Sequence, residues 1–221
     1  MTNVVSIPFH NPDTSSLRIA SFPMRSRVDG PGVRAILWVQ GCARQCPGCQ
    51  NHEMLSKDKG IIVKNEVLVD KINKLFPVEG ITISGGEPFE QAPALIDLII
   101  RLSALDKQFS AVCYTGYYLD ELRKTGNGDI IELLKKIDIL IDGPYEEDNK
   151  NTLLWRGSRN QNVHFMTKRY SAKQYRNEIN ATQMTISTDC KVVINGFPPN
   201  SNAIVSVRDA LKLKGIYLND E

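Results

Sequence analysis

The 221-residue sequence predicts an α/β fold, a parallel sheet that is open or curled into a partial barrel, with a small β-hairpin and helix appended at its C-terminal side. Three observations carry this expectation. Short apolar runs alternate with segments of helical periodicity, the unusual motifs each follow directly on one of those runs, and the texture changes beyond Lys168.

The opening stretch to about Ser16, with Pro8, Asn11, Pro12 and Asp13, reads as a loose arm. Ala35-Ile-Leu-Trp-Val-Gln40 is an apolar run of strand length that stops at Gly41. From Lys64 to Phe76, Val67, Leu68, Ile72 and Leu75 recur at helical spacing and predict an amphipathic helix. Gly80-Ile-Thr-Ile-Ser84 is the second strand, Ala92 to Leu105 a helix with Pro93 in its first turn, and Ser110 to Tyr114 the third strand. Tyr118 to Lys124 and Asp129 to Lys136 are helical, parted by Gly126, Asn127 and Gly128, and Ile137 to Ile141 is the fourth strand. Past the basic stretch Lys168 to Arg176, Gln183 to Ser187 and Lys191 to Ile194 read as a hairpin, and Ala203 to Leu213 as a last helix. The organisation expected is an arm over 1–16, a core over 17–168 and an extension over 169–221.

Composition narrows the class. Hydrophobic residues at 42% and charged ones at 24% suit a globular chain, not a disordered or fibrous one. A net charge of +2, from 27 basic and 25 acidic side chains, gives no footprint for nucleic acid. No apolar run reaches the roughly 18 residues of a membrane span, and Met1 to Ser16 lacks a secretory pattern, so a cytoplasmic protein without a membrane partner is expected. Five cysteines, three of them within residues 42–49, point away from disulfides and toward a metal or redox site.

In parallel α/β folds the loops at the carboxyl ends of the strands converge on one face. Here the first strand runs into the cysteine cluster and the second into Ser84-Gly85-Gly86-Glu87-Pro88. The third runs into Tyr114-Thr-Gly-Tyr117 and the fourth into Asp142-Gly-Pro-Tyr145, so all four motifs are expected together. Cys42-x3-Cys46-x2-Cys49, with Pro47 and Gly48 in a tight loop, can aim three thiolates at one centre. A [4Fe–4S] cluster normally takes four, so three would leave one iron for another ligand. By spacing alone, zinc bound by the same cysteines and His52 is the competing reading. Gly85 and Gly86 would let a ligand approach the backbone, and Glu87 offers a carboxylate to a cationic amine, although a plain tight turn reads the same way.

Taken together, the cysteine loop after the first strand and Gly-Gly-Glu-Pro after the second resemble the radical S-adenosylmethionine (radical SAM) superfamily. Asp29-Gly-Pro-Gly-Val-Arg34, the Cys42 to Asn51 loop, Tyr114-Thr-Gly-Tyr117, Asp142-Gly-Pro144 and Trp155-Arg-Gly-Ser-x-Asn-Gln161 stand in the order seen in activating proteins of the anaerobic ribonucleotide reductase. The resemblance covers roughly Leu17 to Phe165 and implies a partial (β/α) barrel of the radical SAM type. It implies Cys42, Cys46 and Cys49 as ligands of one [4Fe–4S] cluster whose fourth iron is chelated by S-adenosylmethionine. Gly85, Gly86 and Glu87 would receive the methionine amino group, Gly48, Cys49 and Gln50 would pass the adenine, and Thr115 and Asp142 would meet the cofactor. Family members usually carry an aromatic residue where this chain has Gln50.

The chemistry implied is reductive cleavage of S-adenosylmethionine to a 5′-deoxyadenosyl radical that takes a hydrogen atom from a glycine of a partner enzyme, with no side-chain general base. Flavodoxin or ferredoxin would be the electron donor. Modification of another peptide or small molecule is the alternative within that chemistry, and a zinc-stabilised binding module the alternative outside it. Simpler readings hold for the remaining candidates. Cys113 is a buried apolar residue in a strand, and Cys190 an exposed thiol in a hairpin turn. His164 is structural, and His10 lies in the arm. Arg156, Ser158, Asn160 and Gln161 form either a cofactor rim or an ordinary turn. Asp29 to Gly32 is a turn near the target, and Lys168 to Arg176 a solvated linker.

Overall fold

The computed structural model describes residues 7–8, 13–175, 178–186, 192–197 and 212–213. Its centre is four parallel strands, β2 (Arg34–Val39), β4 (Gly80–Gly85), β5 (Ser110–Tyr114) and β6 (Ile139–Asp142), close to the four apolar runs of the sequence. Their register sets the motifs side by side, with Val39 opposite Gly85 and Tyr114 opposite Ile141.

The sheet is mixed rather than purely parallel. β1 (Ser16–Ser26), β3 (Ile61–Lys64) and β7 (Asn162–Phe165) pair antiparallel at its flanks, giving the order β3-β1-β2-β4-β5-β6-β7 among the described residues. The sequence concealed these strands for physical reasons. β1 begins with buried Leu17 and Ile19, but its register against β2 shifts twice before Met24, which erases the two-residue period. β3 is an edge strand of four residues with only Val63 buried, and β7 carries no buried side chain. The arm expected before Ser16 is tied down at Ile7, whose side chain is buried in the main core.

Between the parallel strands run α1 (Asn65–Asn73), α2 (Ala92–Leu105), α3 (Leu119–Lys124) and α4 (Gly128–Lys136). Asn127 caps α4 by accepting from the backbone N–H groups of Asp129 and Ile130 at 2.9 and 3.3 Å. Alternation along the strands sorts the two faces of the sheet. Ala35, Leu37, Val39, Ile81, Ile83, Ala111, Cys113 and Leu140 pack against Leu68, Ile72, Leu95, Leu98, Leu102, Ile130 and Leu133 of the helices. Each fully buried Leu or Ile there contributes roughly 1.5–3 kcal/mol.

Val112, Ile139 and Ile141 face the other way and pack with Trp155, Tyr170 and Tyr175. The stretch from Lys168 is therefore no solvated linker: the Tyr170 hydroxyl lies 2.9 Å from Ser110 Oγ, and the Tyr175 ring sits 5.0 Å from that of Trp155. The expected hairpin exists as β8 (Thr182–Ile186) antiparallel to β9 (Val192–Gly196). Its turn with Cys190, His10, and all of the expected last helix except residues 212–213 lie outside the described residues. Among the described residues no helix is long and apolar enough to cross a membrane.

Candidate functional site

At the carboxyl end of β2 the chain leaves the sheet into the cysteine loop, and backbone bonds hold both ends of that loop. Gly41 N donates to Met54 O at 2.9 Å and Cys42 N to Leu55 O at 3.0 Å, while Gln40 Nε2 reaches Ser56 O at 2.8 Å. Within it, Cys46-Pro47-Gly48-Cys49 is a turn closed by Cys49 N to Cys46 O at 3.2 Å. Proline supplies its fixed φ at the second position, and Gly48, at φ +68°, takes the left-handed region that other residues avoid. The turn folds Cys49 back toward Cys46. Cys42 is buried, Cys46 and Cys49 are half-buried, and all three are free thiols.

The three cysteines share the wall of one cavity of about 920 Å³. Gln50, Gly85, Gly86, Glu87 and Thr115 line it as well, so eight of the ten residues expected at the site meet there. Burial and the neighbouring Glu87 charge push the Cys42 thiol up to about 12, and burial raises Cys49. Both act against free thiolates, the form that a bound cation favours.

The glycine loop lies directly on the cysteine loop. Gly86 N donates to Val39 O and Glu87 N to Gly41 O, each at 2.8 Å, and a Cβ on Gly86 would collide with the Gly41 backbone. Glu87 is fully buried. Its Oε1 accepts from Phe89 N at 3.0 Å and Thr115 Oγ1 at 2.9 Å, and its Oε2 from Gly116 N at 2.9 Å. Burial outweighs these bonds and pushes its pKa up to about 7. Glu87 and Thr115 thus line the cavity while joining the β4 and β5 loops to each other. The Arg44 guanidinium stacks 4.5 Å above the Tyr117 ring, beside them.

Gly48 and Asp142 are not brought to the cavity wall. Asp142 belongs to the opposite face of β6 from Ile141. Its carboxylate accepts from Leu119 N at 2.7 Å, Asn162 Nδ2 at 2.9 Å and His164 Nε2 at 2.8 Å, in a separate recess of about 310 Å³. His164 is structural in that sense. Cys113 is wholly buried in the helix-side core. From the Trp155 loop only Gly157 and Gln161 reach the cavity; Ser158 accepts from Glu146 N at 3.1 Å and Asn160 donates to Pro144 O at 2.8 Å, bracing the turn after β6. His52 does not line the cavity, and among the described residues no three His, Cys, Asp or Glu side chains stand close enough to hold a single metal ion. The zinc reading therefore lacks its fourth ligand at this cavity.

Several lining residues escaped sequence reasoning. Ile36 and Trp38 were legible only as strand residues, and their facing follows from β2 alternation once one neighbour is placed. Asp29, expected in a turn near the target, is in addition buried at the cavity beside Arg34, itself fully buried with its guanidinium donating to Thr82 Oγ1, Ser110 Oγ, Ser110 O, Ile81 O and Pro31 O. Val193 to Phe197 of the hairpin also form part of the wall, and no local signal placed them there.

Comparisons with known proteins agree with this geometry. A family model described as "4Fe-4S single cluster domain" matches residues 28–164, more than half of the chain. The anaerobic ribonucleoside-triphosphate reductase-activating protein of Escherichia coli (strain K12) is 34% identical over 146 residues, 63% of this chain and 92% of that protein. Its counterpart in Enterobacteria phage T4 is 31% identical over 141 residues, 62% of this chain and 86% of the phage protein. The one in Haemophilus influenzae is 32% identical over 144 residues, 62% of this chain and 90% of its own length.

Proposed function

The chain belongs to the 4Fe-4S single cluster domain family, among the anaerobic ribonucleoside-triphosphate reductase-activating proteins, and on that premise we propose that it is a radical SAM enzyme that generates a glycyl radical on an anaerobic ribonucleotide reductase. One observation carries the reading: Cys42, Cys46, Cys49 and the Gly85-Gly86 backbone face a single cavity at the carboxyl ends of the parallel strands.

The residues fit the cofactors. Three thiols on one wall, with no fourth cysteine or histidine lining it among the described residues, suit a [4Fe–4S] cluster that keeps one iron for a small ligand. The cavity lies at the upper end of the roughly 300–1,000 Å³ usual for small-molecule sites, which leaves room for S-adenosylmethionine and a substrate segment. Held by Cys42, Cys46 and Cys49, a reduced cluster would provide the one-electron chemistry that cleaves S-adenosylmethionine reductively and so allows hydrogen-atom abstraction from the target glycine.

The chain's own residues hold and shield. Cys42 sits deepest and fixes the inner side of the cluster loop, while the Pro47-Gly48 turn presents Cys46 and Cys49. Gly85 and Gly86 let this loop lie directly on the backbone of Val39 and Gly41 and line the cavity, where they would meet the amino acid part of the cofactor, with Glu87 and Thr115 keeping the two loops in register. Gln50 lines the cavity and would border the adenine. Asp142 has a different part, anchoring the start of α3.

The same proposal includes the finer architecture. The four parallel strands form a partial (β/α) barrel of the radical SAM type over 17–168, preceded by an arm and followed by an extension over 169–221. A flavodoxin or ferredoxin would deliver the electron. The test is anaerobic reconstitution: a brown protein with about four irons per chain, 5′-deoxyadenosine made from S-adenosylmethionine and dithionite, and a glycyl-radical signal on adding the host's anaerobic reductase. A colourless protein that makes no 5′-deoxyadenosine would sink the reading.

A further inference from the structure

The cavity has one wall that the family-matching residues do not build. Val193 to Gly196 of β9 and the following Phe197 line it, beyond the 28–164 match. The hairpin is fastened to the end of β1 and the turn that follows. Gln183 Oε1 accepts from Arg27 N at 2.9 Å and its Nε2 donates to Arg25 O at 3.0 Å. Asn195 Nδ2 donates to Ser26 Oγ at 2.9 Å and to Asp29 Oδ2 at 2.5 Å, and the Phe197 ring stands 6.2 Å from that of Tyr114.

Two polar atoms at this wall have no partner among the described residues. Asn195 is only 6% exposed, and with both directions of its Nδ2 engaged its amide is fixed in orientation, yet Oδ1 accepts from nothing among the described residues. The Tyr114 hydroxyl is likewise buried and unbonded. Tyr114, Asp29 and Asn195 all line this cavity, and burial raises the Tyr114 phenol, the Asp29 charge adding to the rise and Arg34 opposing it. Buried polar groups are nearly always satisfied, so a buried acceptor and a buried hydroxyl without partners among the described residues, on two side chains of one cavity wall, call for a ligand offering the complement.

Resting on the proposed function, we propose that Asn195 Oδ1 and the Tyr114 hydroxyl bind the main chain of the protein substrate, Asn195 accepting from a peptide N–H and Tyr114 donating to a peptide C=O near the target glycine. The surroundings select that chemistry. Beside Asp29 the guanidinium of Arg34 has its donors given to Thr82, Ser110, Ile81 and Pro31, and the cations that line the cavity, Arg44 and Lys59, come from the cysteine loop and the segment after it, not from the hairpin wall. Ile36, Trp38, Val193 and Phe197 make the nearby wall largely apolar. A segment around glycine, lacking a side chain at its centre, brings its peptide groups closest to such a wall. The C-terminal hairpin is then part of the substrate site and contributes to the choice of target.

The experiment uses full-length protein reconstituted anaerobically and a synthetic nonapeptide centred on the radical-site glycine of the host's anaerobic reductase, with affinity read by fluorescence anisotropy at equal cluster content. Tyr114→Phe and Asn195→Ala are each expected to weaken binding about 5- to 10-fold, the usual yield of one neutral hydrogen bond. Methylating the backbone nitrogens of the peptide one at a time should weaken binding to the wild type by a similar factor at one position. That penalty should vanish in Asn195→Ala, the non-additivity of a shared contact. Unchanged affinity in both variants would overturn the proposal, as would methylation penalties that persist in full in Asn195→Ala. So would a wild type that binds the peptide no better than a scrambled one without glycine. A wild type that binds the peptide with the expected pattern but makes no 5′-deoxyadenosine would instead overturn the radical reading and leave this site standing.

Discussion

Thr115 Oγ1 donates to Glu87 Oε1 at 2.9 Å, tying the loop after β5 to the loop after β4 inside the wall of the cysteine-lined cavity. Glu87 also receives Gly116 N and Phe89 N, so one carboxylate sets the spacing of two loops. The cavity's shape thus depends on a buried acid whose own protonation is finely balanced.

That balance predicts a pH dependence in the cluster-free protein. With a folded pKa of about 7 against 4.5 for the free group, the native state binds more protons than the unfolded chain between those values. Stability therefore falls as pH rises from about 4.5 through about 7, by up to roughly 3 kcal/mol at about 1.4 kcal/mol per unit, and levels off above. Urea unfolding at pH 5.5 and pH 8 should show the decline. In Glu87→Gln the decline should shrink, while overall stability drops by about 1–3 kcal/mol because the amide nitrogen faces donors.

Cysteine substitutions should separate ligands from bystanders. Ala at Cys42, Cys46 or Cys49 is expected to cut iron content after reconstitution to a small fraction of the wild-type value, read by iron assay and visible absorption. Cys113→Ser should keep full iron. Its cost is a hydroxyl in the apolar helix-side core, about 1–3 kcal/mol of stability in urea.

The close approach of the two loops leaves no room for a side chain at Gly86. Gly86→Ala would drive Cβ into the Gly41 backbone and should destabilise by about 1–3 kcal/mol or more, with loss of S-adenosylmethionine binding in equilibrium dialysis. Gly128→Ala is the contrast. Nothing lies within 4 Å of its Cβ, and the position opens α4, so the change should be neutral or stabilising by about 0.5 kcal/mol.

Asp142 should prove structural. Asp142→Ala removes the acceptor for Leu119 N, Asn162 and His164 and is expected to cost about 1–3 kcal/mol in urea unfolding, with iron content at the wild-type level. Loss of iron with unchanged stability would contradict this placement.

Much of the fold was legible because parallel central strands are buried on both faces and read as continuous apolar runs, as Ala35 to Val39 and Gly80 to Ile83 do. The flanking strands were not. β1 loses its period at two register shifts, and β3 and β7 bury too little to leave a pattern. Tyr170 and Tyr175 read as a solvated stretch because packing against Trp155 joins residues that no local spacing connects.

By itself the sequence determined the local chemistry: three cysteines in a Pro-Gly loop, two glycines ending a strand, and the placing of both at carboxyl ends, since turn conformation and strand burial depend on near neighbours. Only the tertiary structure decided which way each group faces and what closes the cavity. The alternation of β6 turns Asp142 to a separate recess, and β9 reaches Asp29 across more than 160 positions of sequence. Such facing is set by long-range packing, whose partners lie too far apart along the chain to leave a periodic trace.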